Sequence, residues 1–174
     1  MHPYAPPPHP PALCPALPPP PPGPYRTAAR AAPGTAEPRR ARREVALSLT
    51  LPGDPRSAAV GRRAVATALP AYGLRSHVWP AAHAVTELIA HAAALTPGRE
   101  LYLSVRHRDS ALRLVLWDQH PAHPDPDARA LCEVRRRRAL WLLAAVVDDW
   151  GGEWGSCEAR PPHQGVKSWV VLPE

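Results

Sequence analysis

The chain of 174 residues contains no asparagine and no phenylalanine, and its single lysine, Lys167, stands against twenty arginines. That bias suits a GC-rich coding sequence that has replaced A/T-rich codons, and it removes one neutral oxygen ligand from the chemistry available. Cysteine is scarce. Cys14, Cys132 and Cys157 are odd in number, far apart and outside any CxxC pair, which argues against a disulfide framework and a zinc knuckle. They are expected to be small apolar fillers or a tail thiol. No stretch approaches about 18 uncharged apolar residues, so no membrane span is expected. The first 24 residues lack the basic start and apolar run of a secretory signal, which leaves a cytoplasmic location as the expectation.

Proline, by contrast, is abundant, and 15 of the 26 prolines fall within residues 1–38. The run LPPPPPGP from Leu17 can form only polyproline II or coil, so residues 1–43 are expected to be a disordered Pro/Arg-rich tail. Six arginines against Glu37 give that tail a net charge of +5, which leaves +1 of the total +6 for residues 44–174. The high pI therefore belongs mainly to the tail, and nucleic acid is not an expected partner of the domain.

Residues 44–174 are long enough for one domain with its own core. Glu44–Leu51 alternates in period two, as a half-buried strand does. Asp54-Pro55 reads as a capped helix start and Pro70 as its stop, giving a helix to about Leu69. Glu100–Arg106 and Ala111–Trp117 read as a hairpin around His107–Ser110. Asp118–Asp127, with three prolines in ten residues, reads as a loop of functional length. Arg135–Val147 reads as a buried helix, and Glu153–Glu158 with Lys167–Leu172 as two strands. Grouped strands with intervening helices predict an α+β sandwich, a mixed sheet with helices on one face.

Between these elements, Trp79–Leu95 (WPAAHAVTELIAHAAAL) is the central helix, with Val78, Ala82, Val85, Ile89 and Ala92 at helical spacing. Its one acid, Glu87, lies four residues from both His83 and His91, so the three form one polar stripe. One reading takes the stripe as metal ligands. Successive positions turn by about 40°, however, so the outer histidines diverge.

Five segments then carry a family resemblance in unbroken order: LPGDPRSAAVGRR, TELIAH, LRLVLWDQHP, ALWLLAAVVDDWG and GVKSWVVLPE. Across 44–174 the chain resembles the histidine-kinase-like (Bergerat or GHKL) ATPase domain of the anti-sigma-factor serine kinase family. The resemblance implies a two-layer α+β sandwich with about three helices on one face and ATP bound between helices and sheet. It implies that Glu87 is the general base for an attacking hydroxyl and that Asp118 accepts from the adenine amino group. It implies further that Lys167 and Ser168 stand beside the nucleotide. It places His91 where the family has the asparagine that holds Mg²⁺, and Arg137, Arg138, Ala139 and Leu140 where the family has Gly-x-Gly-Leu at a helix amino terminus.

Those last two matches are departures. Imidazole is a poor ligand for a hard ion that prefers oxygen, and without glycine the backbone amides lose their close approach to phosphate. A few kcal/mol lost, at tenfold per 1.4 kcal/mol, turns a micromolar site into a millimolar one. Arg135–Arg138 at a helix start would oppose its positive pole, by a few tenths to about 1 kcal/mol each. They read either as a Mg-free grip on a triphosphate or as a solvent-facing basic corner or docking patch. Three readings of function follow. The first is a regulator acting on a protein partner, such as a sigma factor or an anti-sigma antagonist, with weakened ATP binding and doubtful Mg²⁺. The second is an active serine kinase, and the third a His/Glu metal-binding protein. By family analogy a homodimer is also open.

Overall fold

A computed structural model describes residues 45–160 and 163–174. The expected tail over 1–43 lies outside them. The elements run β1 (Ala46–Pro52), α1 (Ser57–Ala71), α2 (Val78–Leu95), β2 (Glu100–Arg108), β3 (Ala111–Asp118), α3 (Pro126–Ala139), α4 (Trp141–Asp149), β4 (Glu153–Glu158) and β5 (Val166–Pro173). The expected α+β class holds, with two corrections. The five-stranded sheet, in order β1-β2-β3-β5-β4, is antiparallel throughout rather than mixed. There are also four helices among the described residues rather than about three.

The extra helix has a local cause. Residues 118–127 are not all loop, because Asp125-Pro126 is itself a helix start. The Asp125 carboxylate accepts from the amides of Asp127 and Ala128 at 3.3 and 3.2 Å, with proline at the first turn. Only Arg136 of α3 is buried, so the helix has no apolar stripe to reveal it in sequence. The chain breaks at Leu140, and α4 continues as a separate short helix.

At α1 the helix starts later than expected, and Asp54 closes the turn before it rather than capping it. The Asp54 carboxylate accepts from the backbone amide and the guanidinium of Arg56 at 2.7–2.9 Å, and the helix itself begins at Ser57. Pro70 falls within the last turn instead of after it. The helix then closes in a Schellman arrangement: the amide of Leu74 donates to Leu69 O at 3.0 Å and that of Gly73 to Pro70 O at 3.1 Å, with Gly73 at φ +84°, a conformation glycine adopts without steric cost. The β2–β3 hairpin turns on Asp109 and Ser110, both at positive φ, the geometry of a two-residue turn matched to strand twist.

Helix α2 packs against α1, α4 and β3. Val85, Ile89 and Ala92 of its predicted stripe are buried, whereas Val78 and Ala82 are half-exposed. The buried face is wider than one stripe, taking in Pro80, Ala81, Ala84, Leu88 and Ala93, because helices flank α2 on both sides as well as the sheet. Beneath it the strands present Leu101, Leu103 and Val105 from β2, Leu112, Leu114 and Leu116 from β3, and Val170 and Leu172 from β5, all at most 1% exposed.

Candidate functional site

The alternation that buries Leu112, Leu114 and Leu116 continues to Asp118, so period two aims this carboxylate at the helix layer rather than at solvent. Across the ladder Leu116 pairs with Ser168, which puts the serine on the same face. Asp118 is 1% exposed and Ser168 3%. From α3, Arg136, 4% exposed, reaches down between them. Its Nη1 donates to Asp118 Oδ2 at 3.2 Å and to Ser168 Oγ at 3.1 Å. The other carboxylate oxygen, Oδ1, accepts from the amide of His120 at 2.9 Å. Both oxygens of Asp118 are thus taken by the protein itself.

His91, on α2, lies close enough to this pair to feel it. Burial holds its imidazole well below the ordinary range, at about 4; the Arg136 cation acts in the same direction, while the Asp118 carboxylate opposes both. At neutral pH His91 is therefore uncharged. Burial, again reinforced by Arg136, also lowers His120. Three buried nitrogens around the pair, His91 Nε2, His120 Nδ1 and Arg136 Nη2, have no hydrogen-bond partner among the described residues.

The structure thus brings together His91, Asp118 and Ser168 of the predicted site, and adds Arg136, which the sequence offers only as one of the run Arg135–Arg138 and which pairs with Asp118 and Ser168 rather than facing phosphate or solvent. Glu87 lies one turn before His91 on the same helix, half-buried and without an ion pair among the described residues. Lys167 lies on the opposite face of the sheet from Ser168, in register with Trp117 and Cys157. Arg138 and Ala139 are exposed. Arg137 is spent on Glu133, at 2.8 and 3.2 Å. Leu140 is core, 1% exposed.

The expected opposition between the arginines and a helix amino terminus does not hold. Arg136, Arg137 and Arg138 occupy the last turn of α3, where the negative pole favours cations. The predicted single helix over 135–147 is in fact the end of α3 and the whole of α4, divided at Leu140, which reverses the sign of the interaction. The metal reading of α2 also fails: His83 stacks on Trp79, with centroids 5.8 Å apart, and among the described residues His83, Glu87 and His91 form no group of converging ligand atoms. Cys132 is a free thiol, and Cys14 lies outside the described residues.

Beside the pair opens a cavity of about 600 Å³ between the carboxy-terminal end of α2, the end of β3 and the loops that follow β3 and precede β5. Leu95, Thr96, Arg99, Trp117, His120 and Gln164 are among the residues that line it. Asp118 does not reach it. A Mg²⁺-nucleotide does not fit the donors assembled here, which are an imidazole, a guanidinium and a carboxylate already neutralised; Mg²⁺ demands oxygen ligands in octahedral array.

No family model and no curated protein matches the chain. Among solved structures, a mycobacterial sensor histidine kinase, MprB, superposes with 26% identity over 55% of this chain and 73% of that chain, at a TM-score of 0.44. A superposition this loose carries no inference about family or activity.

Proposed function

We propose that residues 44–174 form a histidine-kinase-like regulatory domain of the anti-sigma type, which acts by binding a protein partner and whose ATP site has lost most of its strength. The observation that carries this reading is the closure of Asp118. The residue that would recognise adenine is 1% exposed, with one oxygen on the Arg136 guanidinium and the other on the His120 amide. To bind a base there, a nucleotide would have to displace a buried charge-assisted contact, which is far costlier than displacing water. His91 in the metal-ligand position, and Arg137 and Ala139 in place of the two glycines, act in the same direction. The role in partner binding is supported by exposed apolar side chains: Leu131 and Val134 on α3 are 50% and 47% exposed, and Trp141 at the start of α4 is 67% exposed. Protein interfaces favour such residues. On this reading the domain works in the cytoplasm on a sigma factor or its antagonist.

Isothermal titration with ATP, with and without Mg²⁺, tests the proposal. The expected result is millimolar binding or none, with no gain from Mg²⁺. Micromolar, Mg²⁺-dependent binding would overturn it. The second reading, an active serine kinase, is favoured by Glu87 alone, whose carboxylate is free of any ion pair among the described residues. Transfer of phosphate to a partner protein, abolished in Glu87→Ala, would establish that reading instead.

A further inference from the structure

We propose that His120, His123 and Cys132 bind one zinc ion, joining the loop after β3 to helix α3. The loop carries the two histidines in the spacing His-x-x-His, and the cysteine follows after eight further residues. The Nε2 atom of His120 lies 3.1 Å from His123 Nε2 and 3.3 Å from Cys132 Sγ. All three atoms fall within 4.8 Å of one another.

Hydrogen bonding accounts poorly for this cluster. An imidazole Nε2 carries either one proton or one lone pair, so it can make one good bond, yet two polar atoms crowd it. A cation at the centre uses the lone pairs of all three at once. With bond lengths of about 2.0–2.1 Å to nitrogen and 2.3 Å to sulfur, a tetrahedral zinc holds its ligand atoms roughly 3.3–3.6 Å apart, close to the 3.1 and 3.3 Å that separate His120 from His123 and Cys132. Two imidazoles and a thiolate suit zinc or a related soft ion and exclude Mg²⁺ and Ca²⁺. Each of the three residues is half-buried, which leaves a route for entry. No fourth histidine, cysteine or carboxylate joins the group among the described residues, so the fourth position falls to water or to an incoming ligand.

The surroundings hold the cluster in place. Arg129 Nη2 donates to His123 O at 3.1 Å, and Cys132 is the free thiol among the described residues. His120 is joined through its own amide to Asp118 Oδ1, so an ion on its ring fixes the loop that borders both the closed carboxylate and the cavity. This inference does not depend on the nucleotide reading.

The test uses the full chain purified without a polyhistidine tag. Elemental analysis is expected to find one zinc per chain. Replacement by Co²⁺ is expected to give the intense visible bands of a tetrahedral site with a thiolate-to-cobalt charge-transfer band. Cys132→Ser is expected to lose that band and His123→Gln the stoichiometric metal, with circular dichroism unchanged because α3 is an exposed helix. If Co²⁺ gives no charge-transfer band, or if metal content is the same in Cys132→Ser, the proposal is overturned.

Discussion

Replacing Arg136 with methionine should be among the most damaging single changes in the domain. The side chain is 4% exposed and its partner Asp118 1%, so methionine, of similar length, fills the space but leaves a carboxylate buried without its counter-charge. Breaking a buried pair in this way costs about 3–5 kcal/mol. Ser168 Oγ loses its 3.1 Å donor as well. For a domain of this size the loss corresponds to a fall in Tm of roughly 10–20 °C. The double variant Asp118→Asn/Arg136→Met should recover most of the loss, because the asparagine oxygen still accepts from the His120 amide while the charge is gone. Urea unfolding followed by tryptophan fluorescence reads these two variants and the single change Asp118→Asn. The reasoning is refuted if Arg136→Met costs less than about 1 kcal/mol, or if the two single changes add within about 0.5 kcal/mol in the double variant, since coupled neighbours must not.

The remaining predictions concern pH and backbone approach. The folded state holds His91 at about 4 against an ordinary value of 6.5. Below pH 6.5 the unfolded chain therefore takes up a proton that the fold refuses, and stability falls between pH 6.5 and 4, then levels off. Its half-exposed position limits the effect to on the order of 1–2 kcal/mol. His91→Gln should flatten that part of the stability curve, and an unchanged slope would contradict the assignment. At Gly53 an added Cβ would collide with the carbonyl oxygen of Thr96 and lie 2.8 Å from that of Arg99. Both obstacles are backbone, and this is the junction where Gly53 N donates to Arg99 O at 2.6 Å and Gly98 N to Gly53 O at 2.9 Å. Gly53→Ala should cost about 2–3 kcal/mol, seen as a lower urea midpoint, and a shift below about 0.5 kcal/mol would show that the junction yields.

What could be read along the chain was whatever a short window contains. Period two over Leu112–Leu116 and helical spacing through Val85, Ile89 and Ala92 report burial directly, because a side chain's direction repeats with the local backbone. The strands, α2 and the α+β class were therefore legible; Asp118, assigned to the loop, in fact continues the period of β3. Helix α3 was not, since an exposed helix imposes no apolar period; the Asp125-Pro126 cap was its only mark. His120-x-x-His123 was a visible signal as well, but nothing in the sequence brings Cys132 back to it. That return depends on α3 folding from residue 126, so that one helix face faces the loop.

The function of the arginine run was decided at the tertiary level. Arg135 to Arg138 are four identical side chains in a row, and no local rule distinguishes them. Packing does: α3 turns Arg136 toward Asp118 and Ser168 and leaves Arg137 on the surface with Glu133. The sequence alone determined which residue types were available, including the lack of any asparagine for a metal site. Only the fold decided which arginine would be desolvated. A buried carboxylate requires a counter-charge within a few ångströms, and that distance is set by how a helix lies on a sheet.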